Sequence, residues 1–371
     1  MTIGIDASRA IRAHKTGTEW YSYYLIRELA TLDTQNQYIV YVDTDVPKDF
    51  FSLPQNFSFK KLRWPLPFFW TQGRLSLEML FHPPGILFIP SHAIPIIHPK
   101  NTVTTVHDIG FFLHKGYVDA KNIRYLEWST QYALKQCKKI ITISQYSKDE
   151  IVKLLGRDPG NIEVIYLGYD TSRYTQPREE DRQSAQVTLG KYNIKKPFLF
   201  SIGRIDARKN LLTLLQAFEA LKKDGWEGDL VLAGTLGYHG RDIIEACKKS
   251  ICHDSIQYLG WLSEEEKIHL LYRAECFVFP SVYEGFGLPI LEAQSCGVPV
   301  VCSNTSSFPE VAGTAALFFD PHSSDDLKEK IFNLVSDYDI RTSLVAHGFE
   351  NVKRFSWRKT AEETLSFLLK D

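Results

Sequence analysis

The chain has 371 residues, of which 44% are hydrophobic and 23% charged, with a formal net charge of −1. That length suits two domains with a core each, the composition excludes a disordered chain, and the charge makes no electrostatic case for nucleic acid as a partner. The opening MTIGID lacks the basic and apolar regions of a signal peptide, and nowhere do about 18 apolar residues run together as a membrane span requires. A cytoplasmic protein is expected. Cysteines 137, 247, 252, 276, 296 and 302 form no C-x-x-C pair, and the 11 histidines include no H-E-x-x-H. Reduced thiols are therefore expected and a metal site is not.

In chain order, short apolar and β-branched runs predict strands at 3–6, 38–43, 86–90, 102–108, 140–144 and 162–168. Helical spacing appears at 18–32, 121–136 and 146–155. The second half repeats the theme, with strands predicted at 198–204, 229–234, 255–260, 276–280 and 299–304. Helices are predicted near 210–223, 240–251, 263–273 and 287–296. This alternation predicts an α/β protein: two doubly wound parallel-sheet, Rossmann-like domains facing across a cleft. The polar stretch 168–196 reads as the linker plus the first helix of the second domain. The expected units are 1–170, 171–354 and a C-terminal amphipathic helix, 355–371, free to pack on either domain, the first included. No internal repeat aligns by eye.

The most informative segment is EGFGLPILE, residues 284–292, which follows the strand-like CFVFP. It reads as strand, Glu284, a Gly-x-Gly turn, then a helix carrying Glu292. A helix start offers unpaired N–H groups and a positive dipole end to phosphate. Gly285 and Gly287 let the backbone of Gly285, Phe286, Gly287 and Leu288 approach a ligand closely. Eight helical residues rise roughly 12 Å, so Glu284 and Glu292 could accept hydroxyls at either end of a diphosphate. A nucleotide-sugar has that outline. The plainer alternative is a strand-ending Glu and a solvated helical Glu.

Other candidates lie on strand-to-helix connections. GRIDARKN, 203–210, puts Arg204 and Lys209 where two positive charges would neutralise a diphosphate leaving group. Gly17, in HKTGTEW, could present backbone N–H groups, although a plain helix cap by Thr16 or Thr18 accounts for the same residues. His107 and Asp108 end a strand, where the imidazole could bond a sugar hydroxyl and steady developing charge. Tyr258–Trp261, with Gly260, suggests a wall for a base, or simple packing. Residues 57–81 mix Lys60, Lys61, Arg63 and Arg74 with Trp64, Phe68, Phe69 and Trp70. That mixture suits a membrane surface or a lipid-linked acceptor, and packing inside the first domain is the plainer reading.

Together these motifs resemble the retaining glycosyltransferases of family 4, which share the GT-B architecture. The resemblance rests on Glu284 and Glu292 in E-x7-E, Arg204 and Lys209 in G-R-x4-K-N, and His107-Asp108, with ITISQYSKDEI (141–151) and SNTSSFPEV (303–311). It implies that Glu284 and the 285–288 backbone hold the transferred sugar and distal phosphate, Arg204 and Lys209 the diphosphate, Glu292 the ribose and His107 the sugar hydroxyls. It implies no metal and no cofactor beyond the donor. Donor binding would fall to the second domain and acceptor binding to the first. Two departures stand out: K-T-G-T replaces the paired glycines of many relatives, so only Gly17 transfers, and L-G-Y-D (167–170) replaces P-N-G-V-D. W-T-Q, T-V-H-D and S-N-T-S-S-F-P-E-V resemble bacterial mannosyl- and rhamnosyltransferases of O-antigen and exopolysaccharide assembly. The expected donor is GDP-mannose and the acceptor a glycan or lipid-linked glycan, at the inner face of the membrane with peripheral contact. Rival readings are a rhamnosyl- or glucosyltransferase, a nucleotide-sugar epimerase and a non-catalytic glycan- or nucleotide-binding protein. A nicotinamide dehydrogenase is disfavoured because the first strand leads into no G-x-G-x-x-G.

Overall fold

The computed structural model describes residues 1–13, 15–48, 50–66, 68–113, 116 and 120–370, the side chains of 120–122 excepted. Thirteen strands are seen among them: β1 (Thr2–Asp6), β2 (Gln37–Val42), β3 (Phe57–Lys61), β4 (Ile86–Ile89), β5 (Thr102–Val106), β6 (Lys139–Thr142) and β7 (Ile162–Val164), then β8 (Phe198–Ile202), β9 (Asp229–Ala233), β10 (Ile256–Tyr258), β11 (Cys276–Phe279), β12 (Val300–Ser303) and β13 (Ala316–Phe319). They form two sheets, ordered β3-β2-β1-β4-β5-β6-β7 and β10-β9-β8-β11-β12-β13, and neighbours pair in parallel throughout. The order reverses between β1 and β4 in the first sheet and between β8 and β11 in the second. At such switch points the connections diverge and leave a crevice beyond the carboxyl strand ends. The two sheets thus repeat one topology that the sequence does not display as a repeat.

The chain divides into two compact units. One comprises 1–115, 120–168 and 355–371, and the other centres on Tyr169–Arg354. In the second unit the sheet is covered on both faces. Phe200, Phe277 and Phe279 belong to one apolar cluster with Ile290 and Phe308. Their chain neighbours Leu199, Cys276 and Val278 belong to the other, with Phe218, Leu232 and Leu327. Alternate residues point to opposite faces of a strand, so β8 and β11 are apolar throughout because both faces are buried. In the first unit Leu87, Ile89, Val106 and Ile140 build a comparable core. There the helix Trp357–Leu369 lies against helix Gly17–Leu32, its Trp357 ring stacked on Tyr24 at 5.1 Å.

Several strands are shorter than the sequence suggests. The runs at 102–108, 162–168 and 255–260 leave the ladder at Val106, Val164 and Tyr258. The residues beyond, His107-Asp108 and Gly260 among them, form the connections at the carboxyl ends instead. The sequence reading also omits β3, β13 and the helices Ser324–Ser336 and Tyr338–Val352. Both strands lie at sheet edges: β3 breaks its apolar pattern with Ser58 and two lysines, whereas β13 is the short apolar run ALFF.

Candidate active site

Most of the candidates of the second unit lie at its switch point. Beyond β8 the chain runs through Gly203 and Arg204 into a short turn, Ala207–Lys209, and Asn210 opens helix Leu211–Lys223. Asn210 has φ of +54°, a left-handed conformation that asparagine tolerates better than most residues. Its side chain donates to Pro321 O at 2.8 Å and accepts from Thr213 Oγ1 at 2.8 Å. This pins the loop and turns Lys209 back over the strand end. A Cβ on Gly203 would stand 2.9 Å from Lys209 Cε and Nζ, so the glycine makes the passage of that side chain feasible.

Lys209 is buried, and its Nζ donates to Glu284 Oε1 at 2.5 Å while lying 4.5 Å from the Phe279 ring centroid. Arg208 approaches the same oxygen, Nη1 at 2.5 Å, and donates to Tyr283 O at 2.7 Å. Val282 N–H donates to Arg208 O at 3.0 Å. The connections after β8 and β11 are thus fastened by backbone and charge together. Burial acts to raise the Glu284 carboxyl, but the charges and hydrogen bonds of Lys209 and Arg208 outweigh it and bring it down to about 2. Glu284 is therefore a carboxylate at neutral pH, and an acceptor only. Burial also pulls the Lys209 ammonium below its ordinary value, against the opposing pull of Glu284.

Glu284 leads into the turn. Ser307 Oγ bonds Phe286 O at 2.6 Å and Glu284 O at 3.1 Å, and Ser306 Oγ accepts from Glu284 N at 3.1 Å. The Phe286 side chain is buried, so only its backbone could meet a ligand. Gly287 has φ of +109° and precedes helix Leu288–Ser295, with Pro289 in the first turn. That φ lies outside what a side-chain-bearing residue readily adopts. The helix N-terminus and its orphan N–H groups follow at once.

Arg204 is exposed, its guanidinium stem lying where a Cβ on Gly237 would come within 2.7 Å of Nε. Among the described residues it has no ion-pair partner, in contrast to Lys209. Glu292 stands one helical face further on, with Oε2 2.7 Å from Lys267 Nζ. Lys267 comes from helix Glu264–Leu271 and lies 5.0 Å from the Tyr174 ring centroid. Gly260 has φ of +73°, accepts from Gly234 N at 2.7 Å, and leaves open space where a Cβ would be. Tyr258 is a brace, its O–H donating to Gly234 O at 2.7 Å, whereas Trp261 is exposed.

His107 and Gly17 belong to the first unit. His107 follows β5, with Nε2 3.1 Å from Pro90 O and the Tyr21 ring edge-on at 4.8 Å. Because the carbonyl accepts, Nε2 carries the hydrogen and Nδ1 is the acceptor. Burial, helped by Arg9, pushes the imidazole down to about 4, so it is neutral at pH 7. The steadying of charge expected of this residue is thus limited to a dipole. Asp108 Oδ1 accepts from Gly110 N at 2.9 Å. Gly17 opens helix Gly17–Leu32 behind the N-cap residue Thr16, whose N–H bonds Glu19 Oε2 at 3.1 Å, and space is open beside its Cα.

Arg208, Lys267 and Ser307 were absent from the sequence-derived set. Arg208 adjoins Lys209 in the motif, which was the available signal. Lys267 reaches the site through packing and nothing in its spacing announces it, whereas Ser307 lies within SNTSSFPEV, one of the segments that carry the resemblance.

Two doubly wound parallel sheets, each with a switch point, the second carrying a carboxylate–cation cluster beside a helix start, make up the GT-B architecture of glycosyltransferases. Residues 15–173 match the family model Glycosyltransferase Family 4, and residues 186–350 match Glycosyl transferases group 1. O-antigen chain mannosyltransferase B of Escherichia coli is 35% identical over 269 residues, 72% of this chain and 70% of that protein. O-antigen chain mannosyltransferase RfbU of Salmonella typhimurium is 23% identical over 95% of this chain and 98% of that one. Sucrose-phosphate synthase of Thermosynechococcus elongatus superposes with a TM-score of 0.76 at 17% identity, covering 99% of this chain and 98% of that one. The chain belongs to the family 4 glycosyltransferases, which are retaining enzymes. The epimerase and binding-only readings are thereby set aside. Among the described residues no helix is long and apolar enough to cross a membrane.

Proposed function

We propose that this enzyme transfers mannose from GDP-mannose, with retained configuration, to a glycan or lipid-linked glycan acceptor at the cytoplasmic face of a membrane. The sugar choice draws on its relatives, since two O-antigen chain mannosyltransferases match it over most of its length. The observation that carries the site is the Glu284 carboxylate, held by Lys209 and Arg208 beside the helix that starts at Leu288.

In this reading the diphosphate rests on the N–H groups of Gly285–Leu288, with Arg204 and Lys209 countering its charge. Glu284 accepts hydroxyls of the transferred sugar and Glu292 those of the ribose, steadied by Lys267. The base lies toward Gly260. Neutral His107 accepts a sugar hydroxyl through Nδ1, and the first unit, with the N–H groups at Gly17, takes the acceptor. The acceptor oxygen bonds to C1 on the face that the leaving group departs from, the C1–O bond to phosphate breaks, and the acceptor proton passes to a phosphate oxygen. Cations aimed at that phosphate act where charge develops.

Incubation with GDP-mannose, UDP-glucose and dTDP-rhamnose plus a mannan-type acceptor tests the donor. Turnover with GDP-mannose and retained anomeric configuration is expected. Turnover with only another donor overturns the mannose assignment.

A further inference from the structure

We infer that the switch point of the first sheet receives the terminal sugar of the acceptor, and that Arg9, Glu19 and His92 there select an uncharged sugar with neighbouring hydroxyls over a sugar phosphate. The inference rests on the reading that the first unit takes the acceptor. Connections diverge between β1 and β4, and the residues beyond the carboxyl strand ends gather at that point. Arg9 follows β1, His92 follows β4, His107 follows β5, and Glu19 lies in the first turn of helix Gly17–Leu32. Arg9 Nη1 donates to Glu19 Oε1 at 3.0 Å. The Arg9 charge reaches both imidazoles and disfavours their protonation, and His107 acts on His92 likewise.

Each of the three is presented by a fastened segment. Asp6 Oδ1 accepts from Ser8 N at 2.9 Å, and Ala7 N–H donates to Tyr41 O at 2.9 Å. With Ala7, Ala10 and Ile11 buried, the turn that carries Arg9 is tied to the sheet. Glu19 Oε2 accepts from Thr16 N at 3.1 Å, so its carboxylate is already oriented by the capping box of its helix. Thr104 Oγ1 donates to Ser91 O, and His107 Nε2 donates to Pro90 O at 3.1 Å, which joins the segment before His92 to β5. His92 is only partly buried, its ring 6.2 Å from that of Phe111, and among the described residues it has no hydrogen-bond partner. Groups held in this way lose little freedom when a ligand arrives.

The class of sugar follows from the charges, which cancel. Arg9 is paired with Glu19 and Arg12 with Asp43 at 2.5 Å, in contrast to Arg204 of the second unit. Burial, with help from Arg9 and His107, brings the His92 imidazole down to about 3, so neither histidine is charged at pH 7. A sugar hydroxyl both donates and accepts, and this set meets both needs: N–H groups of Arg9, lone pairs of Glu19 and a ring nitrogen of His92. A phosphate dianion only accepts. It would have to draw Arg9 away from Glu19, whose side chain is 13% exposed, and leave that carboxylate without its cation. Stranding a polar group separates substrates more sharply than a missing contact does.

Kinetics of the full chain with α-mannobiosides of each linkage and their terminally phosphorylated forms test it. Whichever nucleotide-sugar the enzyme turns over serves as donor, so a wrong donor assignment leaves the test standing. The neutral acceptors should be favoured by about tenfold or more in kcat/KM. Arg9→Gln and His92→Phe should raise the acceptor KM about tenfold or more, while the donor KM and the binding of GDP stay within about twofold. Glu19→Gln keeps an acceptor for Thr16 N–H but releases Arg9, so it should move the preference toward the phosphorylated acceptor, which a merely structural role would not do. Circular dichroism should be unchanged in all three variants. Wild-type preference for a phosphorylated acceptor, an acceptor KM unmoved in Arg9→Gln and His92→Phe, equal rises in donor and acceptor KM, or a preference unmoved by Glu19→Gln would overturn the proposal. So would the absence of NMR saturation transfer from the GDP-bound chain to every neutral acceptor, whereas failure of the donor reading would show as loss of GDP binding itself.

Discussion

At the level of single residues, one oxygen of Glu284 is shared by two cations, and the consequences are unequal. Lys209 is buried and, among the described residues, bonds no second carboxylate, whereas Arg208 also holds Tyr283 O. Replacing Lys209 by Ala should lower kcat roughly 10²–10³-fold, the loss associated with one preorganised charge at a reacting centre. Arg208→Ala should cost about tenfold in kcat/KM, because Lys209 still orients the carboxylate. Steady-state kinetics on folded variants would decide this, and equal losses would refute the division of roles. The ion cluster also predicts an acid limb in stability. The Glu284 carboxyl falls from 4.5 to about 2 on folding, so its stabilisation is complete above the unfolded value and disappears as pH falls through the folded one. The stability difference between wild type and Glu284→Gln should be level above about pH 5 and shrink toward pH 2, read by urea unfolding at successive pH values. At His107 the shift runs the same way, but burial rather than ion pairing causes it. Its imidazole is already neutral well above pH 4, so kcat/KM should show no inflection from this residue between about pH 5.5 and 7.5. Loss of a pH 6–7 inflection in His107→Gln would contradict that.

Among the elements, the turn into helix Leu288–Ser295 depends on Gly287 more than on any side chain. With φ at +109° and Ile290 and Phe308 carbons 3.3 Å from where a Cβ would stand, Gly287→Ala should destabilise by about 1–3 kcal/mol. It should also weaken nucleoside diphosphate binding, whereas an Ala at Gly190, where nothing lies within 4 Å, should do neither. Thermal melts with calorimetric titration would separate the two. The sequence made this element legible because a glycine pair, a proline and two glutamates occur in the order that a strand–turn–helix unit needs. The parallel strands were equally legible, since two buried faces enforce continuous apolar runs. Edge strand β3 was not, because its exposed Phe59 and lysines break the pattern. Helix Ser324–Ser336 carries Leu327, Ile331 and Leu334 at helical spacing behind the N-cap Ser323, so its signal is present in the chain. Lys267 is a different case. It meets Glu292 through its own side chain across two elements far apart in sequence, and tertiary proximity of that kind leaves no trace in local spacing.

On the scale of the whole molecule, the chain builds most of one unit, forms a second, and returns to finish the first. Gly168 and Trp357 mark the crossing: a Cβ on Gly168 would lie 2.0 Å from Trp357 N. Thr360 Oγ1 then donates to Tyr166 O at 2.7 Å. Helix Trp357–Leu369 buries Trp357, Ala361, Phe367 and Leu368, with Phe355 just before it. Four large side chains at about 1.5–3 kcal/mol each rival the entire stability of a typical domain, about 5–15 kcal/mol. A chain ended after Arg354 should therefore leave the first unit unfolded or aggregated. The uninterrupted stretch Tyr169–Arg354 has apolar clusters on both faces of its own sheet and contains Arg204, Lys209, Glu284 and Glu292. Expressed alone it should fold and bind nucleoside diphosphate within about tenfold of the full chain, and Lys209→Ala should weaken binding by the same factor in that fragment as in the full chain. Far-ultraviolet circular dichroism and calorimetry of the two truncations give the answer. A folded fragment that binds no nucleoside diphosphate would show that donor recognition needs residues of the first unit.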